Sequence, residues 1–315
     1  MSFESWKSGY EKGDVTERTV GYYAIATPFY QWGWGDSFHF ARRWNGETFR
    51  ESIKRMEYKL CDDLQIDSQS TVLDAGCGVG GPLCNIALYS GANVTGVTIS
   101  PHQVKVGNAR LRSLLPKNNK SALELHDFNQ TLPFKDNTFD AVYSFEALCH
   151  AKNLGFTLGE LYRVLKPGGR LAVYDWYMTK KFNPKDPEHQ RIKRGIEKGN
   201  GIEPLRPIQE LDSAVQDAQF NIEVNEDRGV KLEHHSPWYI SLAPGTGIID
   251  RIMKLHTSPL GRWLTQTVLS VGEKLWMVPK NSCATAKMLG DGAEALVKGG
   301  QWEIFTPSYF ILATK

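Results

Sequence analysis

Asp74 ends an apolar run, Val72-Leu73, and is followed by Gly76, Gly78, Gly80 and Gly81, with Cys77 and Val79 between them. Glycines at this spacing let a chain turn sharply and let its backbone approach a ligand with no Cβ in the way. A helix opening just beyond the turn presents unpaired amides, so the chemistry is that of a nucleotide-like ligand site. The plain alternative is an ordinary strand-to-helix corner. Upstream, Tyr30 to Phe40 packs five rings (Tyr30, Trp32, Trp34, Phe38 and Phe40), His39 and two glycines into eleven residues. Glycines there break both helix and strand, whereas aromatic faces attract cations, each by about 0.5–2 kcal/mol when the face points at the charge. The segment therefore reads as a ring-lined wall over a pocket, with some of its rings serving only to hold the joint. His39, Glu146, His150 and Asp175 are the ionisable groups nearest these motifs, able to orient a hydroxyl or take a proton. For the histidines a satisfied structural role is the equal alternative, and for Asp175 it is the capping of a turn.

These groups need a scaffold, and the pattern from Ser70 onward supplies one. Short apolar runs at 71–74, 93–99, 123–128, 139–145 and 170–177 alternate with stretches suited to helices at 82–89, 101–114 and 154–165. That is how a parallel sheet covered on both faces reads in sequence. Pro101 fits a first helical turn with Ser100 as its cap. The pattern predicts a doubly wound α/β core. Residues 47–64 carry helical spacing, 220–224 and 303–313 look like further strands, and 246–277 carries helical spacing broken by Pro259 and Gly261. The expected organisation is an N-terminal helical and aromatic segment (1–67), the α/β core (68–230) and a C-terminal helical cover with remaining strands (231–315).

Composition narrows the function. The 315 residues can bury a full core, and 41% apolar with 23% charged residues is ordinary for a globular chain. A net charge of +2 and no basic run argue against nucleic acid as a partner. Five cysteines (Cys61, Cys77, Cys84, Cys149 and Cys283) form no C-x-x-C pair, which argues for buried thiols in a reducing compartment and against a metal site. Met1 to Asp14 lacks the apolar core of a signal peptide, and no stretch of about 18 apolar residues occurs. The expected location is cytoplasmic. Peripheral contact with the endoplasmic reticulum or lipid-droplet surface is left open by Trp263 and Trp276 in an apolar stretch, against ordinary packing of those rings. Self-association is left open too.

The spacing from Asp74 to Gly81 resembles motif I of the class I, Rossmann-like methyltransferases, in which the acidic residue and glycine loop (here Asp74, Gly76, Cys77, Gly78 and Gly80) hold the amino acid end of S-adenosylmethionine. The resemblance implies that Thr98, Ser100 and Gln103 lie at the ribose, although the usual acidic residue is absent. It implies Asp127 and Phe128 at the adenine, and Leu165 to Leu171 matches the turn into the fifth strand. The aromatic segment, the glycine corner, Tyr143 to Ala151, Tyr174 to Thr179, Pro187-Glu188-His189, Gly199 to Ile202, Pro237-Trp238-Tyr239 and Phe305-Thr306-Pro307 together resemble the sterol 24-C-methyltransferase family, over nearly the whole chain from about Tyr22. A dehydrogenase is the competitor at the level of the core alone.

The family resemblance implies transfer of a methyl group from S-adenosylmethionine to the side-chain alkene of a sterol at carbon 24. A tertiary cation, a hydride shift and loss of a proton follow. Tyr30, Trp32, Trp34, Phe38 and Phe40 would line the acceptor site and stabilise charge; His39, Glu146, His150 and Asp175 would be the catalytic candidates. Three positions depart from the family pattern: Gln31 where an acidic residue is usual, Leu148 for threonine, and Asn200 for aspartate. Fewer carboxylates weaken a site for a cation, because charge in a dry site acts at low dielectric. Methylation at carbon 4 of a 3-keto sterol, with His39 or His150 forming the enol, is therefore carried as an alternative, as is a sterol-binding protein weakened in catalysis. A small phenol or amine acceptor fits the ring-rich wall less well.

Overall fold

Val72 and Leu73 are neighbours in sequence yet belong to different hydrophobic cores. Successive side chains of a strand point to opposite faces, so a strand apolar at both positions must be covered on both sides. The computed structural model describes residues 19–23, 26–27, 35–202, 204–230, 232–243, 259–278 and 281–315. It groups the chain into two compact units: residues 29–180, 206–236 and 306–315 in one, and residues 1–28, 181–205 and 237–305 in the other. Both are assembled from separated stretches, whereas the expected divisions fall at single points after residues 67 and 230.

The first unit carries the sheet. Its strands are β1 (Arg43–Trp44), β2 (Thr71–Ala75), β3 (Asn93–Thr98), β4 (Ala122–Leu125), β5 (Phe139–Phe145), β6 (Leu165–Met178), β7 (Asn221–Asp227), β8 (His235–Ser236) and β9 (Phe305–Thr314). Seven of these form one sheet in the order β4-β3-β2-β5-β6-β9-β7, and β1 pairs with β8 in a separate ribbon. β2 runs parallel to β3 on one side and to β5 on the other, β7 antiparallel to β9. On one face, α4 (Leu154–Val164) and α6 (Ile208–Asp217) pack Leu158, Leu161, Leu211 and Val215 against Leu73, Val142 and Val173. On the other, α1 (Phe49–Asp63), α2 (Gly81–Ser90) and α3 (Pro101–Leu114) bring Ile53, Leu60, Leu83, Ile86 and Leu111 to Val72, Val94 and Tyr143. This is the doubly wound arrangement that the alternating pattern predicts. Ser100 caps α3 as expected, its hydroxyl accepting from the Gln103 amide at 3.4 Å.

Helices dominate the second unit: α5 (Pro187–Asn200), α7 (Pro259–Lys274) and α8 (Ser282–Gln301). Asp186 caps α5, accepting from the amides of Glu188 and His189. α5 and α8 meet through glycine: a Cβ placed on Gly199 would lie 2.3 Å from the Gly292 Cα. The helical spacing expected over 246–277 resolves into α7, which starts at Pro259, where proline tolerates only a first turn. Residues 244–258 lie outside the described residues. Among the described residues no helix is long and apolar enough to cross a membrane.

Candidate active site

The order of strands reverses between β2 and β5, and in open α/β sheets the crevice at the carboxyl ends of such strands is where ligands bind. β2 delivers Asp74 and the glycine turn to that point. Gly76, Gly78 and Gly80 take φ values of +96°, +53° and +76°, a region that only glycine enters without strain. The amides of Gly76 and Cys77 both donate to the Val97 carbonyl, anchoring the turn on β3. A Cβ on Gly76 would strike the Ala147 Cβ at 2.3 Å, so the turn is also closed against the chain leaving β5.

Asp74 is buried and accepts from the Tyr143 hydroxyl at 3.0 Å. Burial pushes its carboxyl up to about 8, partly opposed by the Tyr143 bond and reinforced by Glu57. A cationic ammonium group beside it would relieve that cost, which is the group the amino acid end of S-adenosylmethionine carries. Glycine at 76, 78 and 80 puts no Cβ between this backbone and a ligand, so these residues fit such a donor. Thr98 and Gln103 are buried together at the end of β3, the Thr98 hydroxyl donating to Gln103 Oε1 at 2.6 Å, with Ser100 between them. Asp127 accepts from the backbone and side-chain amides of Asn129, and Phe128 lies 3.4 Å from a Cβ built on Gly76. The expected donor residues thus lie at the carboxyl ends of β2, β3 and β4. Cys77 is the exception in kind: its thiol is buried and burial holds it well above the ordinary range, so it serves the turn as a small apolar side chain.

The aromatic segment reaches this crevice from Asp36 onward; Tyr30, Trp32 and Trp34, and Gln31 with them, lie outside the described residues. A Cβ on Gly81 would meet the Asp36 carbonyl oxygen at 2.1 Å, and one on Gly78 would lie 3.9 Å from the Phe38 ring. Phe38 therefore stands against the glycine turn. His39 is buried, stacked on Phe145 at 4.5 Å between centroids and 14° between planes. Its Nε2 lies 3.2 Å from Glu57 Oε1 and its Nδ1 3.1 Å from the Phe40 carbonyl. Phe40 is tilted against Trp176 at 5.8 Å, and its amide donates to Glu146 Oε1 at 2.5 Å.

Glu146 follows β5 with φ +49°, a left-handed conformation that a side chain enters only under constraint. Burial drives its carboxyl well above the carboxylate range; Asp175 reinforces the shift and the Phe40 amide opposes it. A positive charge arising in the crevice would draw it back toward ionisation. Asp175, fully buried on β6, accepts from the Cys149 amide at 3.0 Å and from its neighbour Trp176 at 2.7 Å, and burial raises it to about 6. It thereby pins the short 3-10 turn Leu148–His150, on which His150 is buried. Sequence reasoning missed Glu57, which accepts from Ser37 and Asn85 and contacts His39 Nε2. Its signal was present: Glu57 falls on the same helical face as Ile53, Met56 and Leu60, where a charge is out of place.

Residues 73–173 match the Methyltransferase domain family and residues 252–315 the Sterol methyltransferase C-terminal family. Cycloartenol-C-24-methyltransferase 1 of Oryza sativa is 42% identical over 96% of this chain and 86% of its own. Sterol 24-C-methyltransferase ERG6 of Saccharomyces cerevisiae is 38% identical over 96% of this chain and 79% of its own. The chain belongs to the sterol methyltransferase family. Its fold is shared more widely: geranyl diphosphate C-methyltransferase from Streptomyces coelicolor superposes with a TM-score of 0.67 at 17% identity, covering 96% of this chain and 97% of that one. Two departures from the sterol methyltransferase pattern have a structural account. Leu148 is fully buried in the core beside Ala147 and Ala151, where a hydroxyl would need a partner. The Asn200 amide donates to the Ile196 carbonyl at 2.8 Å, a bond that an aspartate carboxylate cannot make.

Proposed function

We propose that this sterol methyltransferase transfers a methyl group from S-adenosylmethionine to carbon 24 of a sterol side-chain alkene. The observation that carries the reading is the abutment of the two motifs: Phe38 stands 3.9 Å from a Cβ built on Gly78, so the aromatic segment lies against the glycine cradle. Asp74 and the turn Gly76 to Gly80 would hold the amino acid end of the donor, Thr98, Ser100 and Gln103 its ribose, and Asp127 and Phe128 its adenine. The donor, when bound, supplies an electrophilic methyl carried on a sulfonium. The chain's own task is to exclude water, present aromatic faces to a developing cation and take a proton. Phe38 and Phe40 supply faces; Tyr30, Trp32 and Trp34 of the same segment, outside the described residues, are carried as further candidates. Glu146 is the favoured proton acceptor, because its carboxyl is buried beside the rings and gains charge as a cation forms. His39 and Asp175 are held by hydrogen bonds that suit positioning, and His150 is the second candidate base. The sterol partners named for the plant relatives make cycloartenol the first acceptor to try.

Mass spectrometry and NMR of the product made with methyl-labelled donor and a panel of Δ24 sterols and 3-keto sterols test this. Label at carbon 24 is expected. Label on ring A would favour nuclear methylation, and sterol binding without labelled product would favour a carrier; either would end the proposal. We further infer that the exposed apolar face of α7 makes peripheral contact with a membrane, the phase in which such an acceptor dissolves.

A further inference from the structure

Glu57 lies on α1 with none of its side chain exposed. Side chains from two other segments converge on it: Ser37 Oγ donates to Oε1 at 2.6 Å, His39 Nε2 lies 3.2 Å from Oε1, and Asn85 Nδ2 donates to Oε2 at 2.7 Å. Burying a carboxylate is costly and is tolerated where its acceptor positions are filled. Ser37 and His39 flank Phe38, the ring that stands on Gly78. Asn85 sits on α2, the helix that opens directly from the glycine turn with Gly80 at its N-cap. The same carboxyl therefore holds both parts of the crevice, the aromatic segment and the helix carrying the donor loop.

We propose that Glu57 is a positioning residue for methyl transfer, fixing Phe38 and its neighbours in one register over the glycine turn. The proposal rests on the functional reading above. Small displacements are costly in such a site, since reacting atoms must be held near 3–3.5 Å, and a shift of roughly 1 Å can cost about a hundredfold in rate. A buried network satisfied at every member specifies one arrangement where apolar packing alone would allow several. Asp74 feels the same carboxyl, which contributes to its raised value.

The test compares Glu57→Met, which keeps length and removes both acceptor oxygens and with them all three contacts, with Glu57→Gln, whose Oε1 still accepts from Ser37 and faces His39 while Asn85 turns its amide to accept from Nε2. For Glu57→Met, kcat on a Δ24 sterol is expected to fall by about ten- to a hundredfold, with the donor Kd by calorimetry held within about threefold because Asp74 and the glycine cradle remain. Glu57→Gln is expected to stay within about threefold of the native kcat. An unchanged kcat in Glu57→Met, an equal fall in Glu57→Gln, or a donor Kd that weakens in step with kcat would each overturn the proposal. Should Glu57→Met fail to fold, Ser37→Ala removes one anchor and is expected to lower kcat by about three- to tenfold at constant donor Kd; no change in kcat overturns the proposal there. Native protein that binds sterol and transfers no methyl would end the functional reading alone. The same variants are then compared by affinity for a fluorescent sterol, where about a tenfold weakening in Glu57→Met is expected and equal affinity overturns.

Discussion

Asp74 shows how far a single residue could be read in advance. Its type and its place before the glycines were legible, because a tight turn followed by a helix needs glycine at fixed positions. Its protonation was not, since that depends on how completely β2, β5 and Tyr143 enclose it. With the ordinary value at 3.8 and the folded value near 8, the folded chain keeps a proton through that window which the unfolded chain has released. Asp74 therefore costs stability increasingly as pH rises from about 4 to 8. A donor ammonium reverses the preference by favouring the carboxylate. Binding of S-adenosylmethionine or its demethylated product near neutral pH is expected to release close to one proton from Asp74 and to tighten as pH rises toward 8. Calorimetry in buffers of different ionisation enthalpy measures this, and Asp74→Asn should abolish the release. Glu57 teaches the converse lesson at the same scale. Its spacing marked it as a charge on an apolar helix face, but only the fold brings Ser37, His39 and Asn85 to it.

Among elements, those of the sheet were the most legible: β2, β3, β5 and α3 lie where the apolar runs and the Ser100-Pro101 start place them. α5 was not foreseen, and α8 falls within the expected C-terminal helical cover although no spacing marked its bounds. α5 offers few apolar residues, with Ile192 and Ile196 its buried aliphatics, and α8 carries Gly290, Gly292, Gly299 and Gly300, which lower intrinsic helix propensity. Tertiary contact overrides that tendency, and a sequence shows no partner. α7 was foreseen in part, and its surface carries a prediction. Leu264, Val268, Val271 and Leu275 recur at helical spacing and are all exposed, with Trp263, Trp276 and Met277 beside them. Trp276 is 93% exposed and ends the helix at φ +59°, a position where glycine is the ordinary choice. Indole is favoured at the boundary between lipid and water, so the strained, exposed ring fits membrane contact. Trp276→Gly is expected to weaken co-sedimentation with sterol-containing vesicles several-fold while raising unfolding stability by about 0.5–1 kcal/mol. Unaltered vesicle binding would remove this surface from the proposal.

For the chain as a whole, the cysteine pattern pointed to mostly buried thiols, and four of the five cysteines are buried. Burial lifts Cys61 to about 11 and holds Cys77 and Cys149 well above the ordinary thiol range, suppressing the reactive thiolate. A thiol reagent at neutral pH should therefore modify Cys283 readily in the native protein and the other four only after denaturation. Fast native reaction of several thiols would contradict this burial. The organisation into two units was less legible, because each gathers stretches distant in sequence and no linker composition marks the crossings. Within the helical unit, the contact of Gly199 with Gly292 leaves space for hydrogen atoms alone. Neither position can accept so much as a methyl group unless one helix slides or tilts away from the other. Chance variation at these two sites is thus filtered by geometry rather than by chemistry, and natural substitutions tolerated elsewhere along α5 and α8 should be purged at this crossing.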